Sequence, residues 1–309
     1  MPAIGLETNA MKFIHLLMLI VALGSLVGCA SGKRTLAVEG QNRAYYLHVP
    51  ASYAEGTPLP LLLALHQFSD TASGMRKLSG FDAIAEREGF IVCYPQGRWR
   101  VWNSGQGRNN TDDVAFLSQL VETLATQYSI DRDRVYATGI SAGGMMAQYL
   151  ACQTDLLAGV AAVAGSPVRS VLETCARPTP ILTIHGEADN IVPYAGGDVS
   201  AGGGDMSFAS ARETADAWAR INGCDAANVQ AEVLPPLVAD DPSRITKYTY
   251  SCNAKPPVVF LSVGNAGHTW PGRDNWYPAF IVGNTSMQLD TSETIWAFLE
   301  QVGKEQRQP

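Results

Sequence analysis

From Arg43 onward, apolar runs alternate with stretches of helical period. Leu59 to Leu65 is continuously apolar, the pattern of a strand buried on both faces. Tyr45, Leu47 and Val49 alternate with their neighbours, as a half-exposed strand does. Phe81 to Glu88 predicts a helix, and Phe90 to Tyr94 the next strand. Asp112 then caps a long amphipathic helix with Val114, Leu117, Leu120, Val121 and Leu124 on one face. Arg134 to Thr138 predicts a strand, residues 142–152 a helix, and Val160 to Ala164 another strand. Ile181 to Ile184 and Val258 to Val263 are the last clear core strands, and Gly196 to Gly204 reads as a surface loop. Asp290, with Glu293 three residues on, opens a final helix through Leu299. Such alternation predicts an α/β domain whose mostly parallel sheet carries helices on both faces. No repeat or change of composition divides residues 43–305, so one domain is expected.

The N-terminal segment differs. Lys12 precedes an apolar run from Phe13 to Val27, closed by Gly28 and Cys29. A charged start, a short apolar core and a small-residue end mark a secretory signal. The run is short for a membrane span of about 20 residues. Leu26-Val27-Gly28-Cys29 resembles the lipobox of bacterial lipoproteins. That resemblance implies a lipidated Cys29 as mature N-terminus and an envelope or extracellular location. The lipid would be the sole membrane contact. Met11-Lys12 reads as a more natural start than Met1, and residues 30–42 as a polar tether.

At 46% hydrophobic and 17% charged, the chain can bury a sizeable core. A net charge of −7 with no basic tract argues against nucleic acid as a partner. Five cysteines follow Cys29 in a compartment where disulfides persist, and an odd number leaves at least one unpaired. Cys93 lies within an apolar run and reads as a buried thiol. Cys152, Cys175, Cys224 and Cys252 lie near element ends, lack zinc-site spacing, and read as two bridges. No metal-ligand cluster, dinucleotide fingerprint or phosphate loop appears, so no cofactor is expected.

Gly139-Ile140-Ser141-Ala142-Gly143 matches G-x-S-x-G, directly between a predicted strand and helix. A sharp turn there lifts the serine hydroxyl out of the sheet at a helix N-terminus. A serine needs a base to take its proton, and the base needs an orienting acid. Only His185 and His268 follow Ser141, and His268 lies in a loop just past the last core strand. His268 is therefore the candidate base, with His185 a hydrogen-bonded packing residue. The acid should end the preceding strand, where Asp189 is favoured over Glu187. Ala142 N–H would supply one oxyanion donor. The loop after Leu65 would supply the other, with Phe68 N–H first choice and Gln67 in reserve. Trp99, Trp102, Trp270, Trp276 and Tyr277 lie in or near loops at the same end. Trp102 and Trp270 are the candidates for substrate contact, against a plain packing role.

The chain resembles bacterial esterases related to polyhydroxybutyrate depolymerases and type-1 carbohydrate esterases, including feruloyl esterases. The resemblance runs from about Arg43 to the end, through Leu65-His66, Phe90 to Gly97, Trp102-Asn103 and Asp112-Asp113-Val114. It continues through the elbow, His185 to Tyr194, Asn222-Gly223-Cys224 and Gly267 to Gly272. It implies the α/β-hydrolase fold, the triad Ser141, Asp189 and His268, and bridges Cys152–Cys175 and Cys224–Cys252. Gln67 stands where these relatives carry glycine, so a different oxyanion loop is expected if that glycine's backbone angles are closed to glutamine. The expected activity is hydrolysis of short or aromatic acyl esters through an acyl-enzyme, with polyhydroxyalkanoate oligomers and feruloylated polysaccharides as candidate substrates. A serine peptidase and a non-catalytic binding lipoprotein on the same scaffold are the alternatives.

Overall fold

The computed structural model describes residues 32–105, 110–200, 205–253, 256–275 and 277–307. Cys29 with its preceding segment, and Trp276, lie outside the described residues. The first strands are β1 (Lys33–Val38), β2 (Gln41–His48), β3 (Leu59–Leu65) and β4 (Ile91–Pro95). Next come β5 (Ile130–Ile140), β6 (Gly159–Val163), β7 (Ile181–Gly186), β8 (Gly197–Ser200) and β9 (Asp205–Phe208). The last are β10 (Asp225–Val233), β11 (Ile245–Ser251) and β12 (Val258–Val263). The helices are α1 (Ala72–Ser79), α2 (Phe81–Glu88), α3 (Asp113–Gln127) and α4 (Ala142–Gln153). They continue with α5 (Arg169–Thr174), α6 (Ala211–Ile221), α7 (Ala279–Val282) and α8 (Thr291–Glu305).

One large sheet runs in the order β1-β2-β4-β3-β5-β6-β7-β12-β11-β10. From β4 to β12 its neighbours are parallel, while β1-β2 and β11-β10 are antiparallel hairpins at the two edges. The strand period of two explains the layers. Leu61, Leu63 and Leu65 of β3 pack in one core with α3, α4 and α6, and Leu62 and Ala64 in the other with α1, α2 and α8. The parallel strands all end at one edge, where the loops after β3, β4, β5, β7 and β12 gather.

Three expectations change. Residues 33–38 are not tether: β1 pairs with β2 through a two-residue turn at Glu39 and Gly40, with φ of 49° and 76°. Positive φ at both positions is the turn geometry that matches strand twist. The Gly196–Gly204 stretch contributes a strand of the small β8-β9 hairpin, residues 201–204 lying outside the description. Helix α1 is additional; Thr71 Oγ1 caps it by accepting from Gly74 N–H at 3.0 Å.

Disulfides join Cys152 to Cys175 and Cys224 to Cys252. The first ties the end of α4 to the end of α5, and the second ties the end of α6 to that of β11. Two bridges fit an oxidising, extracytoplasmic compartment. Cys93 is free and fully buried, and burial pushes its thiol pKa up. Converting either pair to serines should cost about 2–5 kcal/mol in urea unfolding. Cys93 should react with a thiol reagent only after unfolding; rapid labelling of the native protein would contradict its burial.

Candidate active site

Ser141 is the single residue between β5 and α4. Its φ of 56° and ψ of −124° are strained for a residue with a side chain, at about 1–3 kcal/mol. Surrounding backbone holds it there. Ser141 N–H donates to the Val163 carbonyl at 2.8 Å, and Met145 N–H donates to the Ser141 carbonyl at 3.0 Å. The glycines on either side are required by close approach. A Cβ on Gly143 would collide with the Leu65 carbonyl, and one on Gly139 with the backbone of Gly143. Ala142 opens α4, so its N–H has no acceptor within the helix and is free to meet a ligand.

Asp189 and His268 come together from the loops after β7 and β12. His268 Nδ1 lies 2.8 Å from Asp189 Oδ2. A carboxylate only accepts, so Nδ1 carries the proton and Nε2 is left bare, the tautomer of a general base. Asp189 Oδ1 accepts from Ile191 N–H and Val192 N–H, each at 2.9 Å. Burial alone would push its carboxyl up, but the imidazoles of His185 and His268 beside it outweigh that and hold it well below the usual range. Glu187 is exposed and accepts from Ser262 Oγ at 2.6 Å, so the geometry favours Asp189 as the imidazole's partner. His268 N–H donates to the Val282 carbonyl at 2.5 Å, which fixes the loop beneath the ring.

The loop after β3 is locked by His66, which is fully buried. Gly97 N–H donates to His66 Nε2 at 2.9 Å. The proton therefore sits on Nδ1, which donates to the Gln67 carbonyl at 2.7 Å. With the Gln67 carbonyl turned to His66, the trans peptide turns Phe68 N–H the opposite way. Among the described residues that N–H has no protein acceptor. Gln67 is accommodated without strain, since the positive φ of this loop, 62°, falls on Ser69. Ser69 N–H donates to the Arg100 carbonyl at 2.8 Å, coupling the loop to the segment after β4.

A protein described as an esterase, NocK, of Nocardia uniformis subsp. tsuyamanensis is 35% identical over 283 residues, 86% of this chain and 81% of that protein. The chain belongs to this esterase family. Feruloyl esterase B of Piromyces equi is 27% identical over 76% of the esterase and 44% of its own length. Poly(3-hydroxyalkanoate) depolymerase C of Paucimonas lemoignei is 27% identical over 74% of the esterase and 59% of its own length. The esterase thus spans about half of these two longer relatives. The Phospholipase/Carboxylesterase family profile matches residues 106–202, which include the elbow. The structure of acetyl xylan esterase from Aspergillus awamori superposes with a TM-score of 0.58 at 16% identity, covering 86% of the esterase and 98% of that chain. The fold is that of the α/β-hydrolases, and the activity is carboxylic ester hydrolysis.

Both tryptophans assigned to substrate contact belong instead to the framework of the esterase. Trp270 is fully buried in a T-shaped contact with Phe81, and its indole N–H donates to Ser292 Oγ at 3.1 Å. Trp102 is 4% exposed; it packs on the His66 ring and donates to the His66 carbonyl at 2.9 Å. An indole whose N–H is satisfied inside has no need of a ligand. The exposed apolar side chains at this edge are Phe68, Trp99, Ile191, Phe280 and Ile281. Phe280 escaped the sequence reading, although Ala279-Phe280-Ile281-Val282, the short helix α7, is an apolar run past the last core strand. A cavity of about 740 Å³ opens between Asn265, Asp241 and the 273–287 segment, but Ser141, Asp189 and His268 do not line it.

Burial pushes the His66 pKa down to about 4, against a partial pull upward from its bond to Gln67. An unfolded histidine gains its proton near 6.5, so between pH 6.5 and 4 the unfolded state binds more protons. Stability from this group is therefore present above about pH 6.5 and falls by about 3 kcal/mol as the pH drops to about 4. Histidine NMR should show the His66 ring neutral down to about pH 4; titration near 6.5 would refute the lock.

Proposed function

We propose that the esterase hydrolyses short or aromatic acyl esters through an acyl-enzyme on Ser141. The observation that carries this reading is the Asp189–His268 bond, which leaves Nε2 bare at the sheet edge holding the Ser141 elbow. Ser141 Oγ attacks the ester carbonyl while its proton passes to His268 Nε2. The N–H groups of Ala142 and Phe68 hold the oxyanion. Collapse expels the alcohol, which takes the proton from His268, and water then repeats the sequence to free the acid. The apolar rim supports an acyl group of modest length or an aromatic one. Polyhydroxyalkanoate oligomers and feruloylated polysaccharides, by analogy with the named relatives, are the extended substrates we propose.

Ser141→Ala should abolish labelling by a fluorophosphonate and turnover of any ester while leaving thermal unfolding unchanged. Asp189→Asn should lower kcat by about 10³–10⁴-fold by permitting the wrong imidazole tautomer. Kinetics on acetyl, butyryl, octanoyl and feruloyl esters and hydroxybutyrate oligomers test the substrate class. Phe68→Ala should change acyl preference, and Gln67→Gly should preserve turnover. Fastest hydrolysis of the octanoyl ester would overturn the short or aromatic preference, and near-normal activity in Ser141→Ala would overturn the mechanism.

We also propose that Cys29 carries a lipid anchor, which the lipobox-like Leu26-Val27-Gly28-Cys29 supports. Cys29→Ser should move the protein from the detergent phase to the aqueous phase or block processing. A wild-type product that is wholly aqueous and cleaved elsewhere would refute the anchor.

A further inference from the structure

His185 ends β7 next to Gly186 and is 3% exposed. Its Nε2 lies 2.9 Å from the Val192 carbonyl oxygen and 3.3 Å from Asp189 Oδ2. Both oxygens can only accept, so Nε2 carries a hydrogen, which it donates to the Val192 carbonyl while its positive end lies against the carboxylate. On the far side of the ring, Ser166 Oγ is 3.4 Å from Nδ1 and is placed to donate to it. The ring stands edge-on to Tyr194, with centroids 6.0 Å apart. The Asp189 side chain, fully buried, thus meets two backbone N–H groups on Oδ1 and two imidazoles on Oδ2. A packing histidine would not need to aim at the one oxygen that orients His268.

We infer that His185 is a positioning residue for the triad: its Nε2–H, held by the Val192 carbonyl, rests against the Asp189 oxygen that binds His268. The inference rests on the acyl-enzyme reading above. An oxygen facing two N–H dipoles offers less charge to each than an oxygen facing one. The Asp189 charge stabilises His268 when it is protonated, and protonated His268 cannot act as a base. Removing the His185 donor concentrates charge on Oδ2 and favours that inactive form. Wild-type activity should therefore extend to lower pH than activity without the donor. The other ionisable groups around this cluster are engaged elsewhere. Glu187 and the Tyr194 hydroxyl both bond Ser262 on β12, and Arg212 on α6 pairs with Asp216.

The test is kcat/KM against pH for one short ester, followed by pH-stat, in wild type, His185→Phe and His185→Gln. Phenylalanine fills the site without a donor, whereas glutamine can still present an N–H. The acid limb should move up by about 0.5–1 pH unit in His185→Phe. Its kcat should fall about tenfold, as when a histidine–carboxylate pair loses an outer partner. KM should be unchanged, and His185→Gln should stay near wild type. An unmoved limb in His185→Phe, or equal displacement in both variants, overturns the inference. If His185→Phe does not fold, the wild type decides it. Imidazole nitrogen NMR should show Nε2 of His185 protonated and Nδ1 bare, and the opposite tautomer refutes the contact. A wild type that hydrolyses no ester overturns the triad and this inference together; an active wild type with an unmoved limb overturns the inference alone.

Discussion

The site depends on a close backbone approach between α4 and the end of β3, where Gly143 lies against the Leu65 carbonyl with no room for a side chain. That contact brings together two segments that the chain separates by α1, α2, β4, α3 and β5. It sets Ala142 N–H, at the start of α4, across from the loop that begins at His66. It also holds the Ser141 turn in a conformation worth about 1–3 kcal/mol of strain. The cost is offset by the β3–β5 and β5–β6 ladders, whose registers carry the strand ends to the same level. Gln148 adds a brace inside α4: its Nε2 donates to the Gly165 carbonyl at 2.7 Å, and its Oε1 accepts from Trp218 Nε1 at 2.9 Å. A helix so pinned cannot slide without breaking bonds in two other elements.

A second set of buried polar groups supports the oxyanion loop from below. Asp113 accepts from Arg43 Nη2 at 2.6 Å and from Asn103 N–H at 2.7 Å. Arg43 lies over the Phe116 ring at 3.9 Å and also reaches the Gln96 carbonyl at 3.3 Å. Burial raises the Asp113 pKa, while the Asn103 N–H and the Arg43 charge pull it back. Such a pair adds little net stability, because desolvation of both ions offsets their attraction. What it supplies is direction. It fixes Asn103 beside Trp102, and Trp102 holds the His66 carbonyl. The Trp102-Asn103 and Asp112-Asp113-Val114 signatures thus act on the site through structure rather than chemistry.

What the sequence made legible follows from where each element lies. Leu59–Leu65, Phe81–Glu88 and Val258–Val263 were readable to the residue because buried strands and a glycine-bounded helix leave unbroken patterns. Edge elements were not. Strand β10 has mostly exposed positions, and its side chains carry little periodic signal once one face meets solvent. Helix α1 is polar enough to pass for loop, and only the Thr71 cap and the Gly80 stop betray it. The turn at Ser141 and the pairing of Asp189 with His268 were readable from order along the chain, because successive parallel strands must bring their ends to one edge. The direction of a loop side chain was not. Trp270 and Trp99 both sit in loops with similar neighbours, yet one is fully buried and the other 70% exposed. Composition records neither outcome. His185 failed to stand out for a related reason, since a strand-end histidine looks the same whether it packs or donates.

The apolar rim is threaded through the polar machinery. Phe68 carries the N–H proposed as oxyanion donor, and Ile191 donates its own N–H to Asp189. Phe280 and Ile281 belong to α7, whose Val282 carbonyl holds the His268 backbone. Trp99 precedes Arg100, whose carbonyl anchors Ser69. Each exposed side chain is therefore at most two residues from a backbone group that positions a reacting atom. Leaving such side chains in water costs about 25 cal/mol per Å² of apolar surface, which the proposed acyl group would recover by covering them. Force from that contact would act on the same short segments that aim the proposed donors and base. Binding energy collected at the rim would then be available to settle the catalytic geometry, the way in which remote contacts raise kcat as well as affinity.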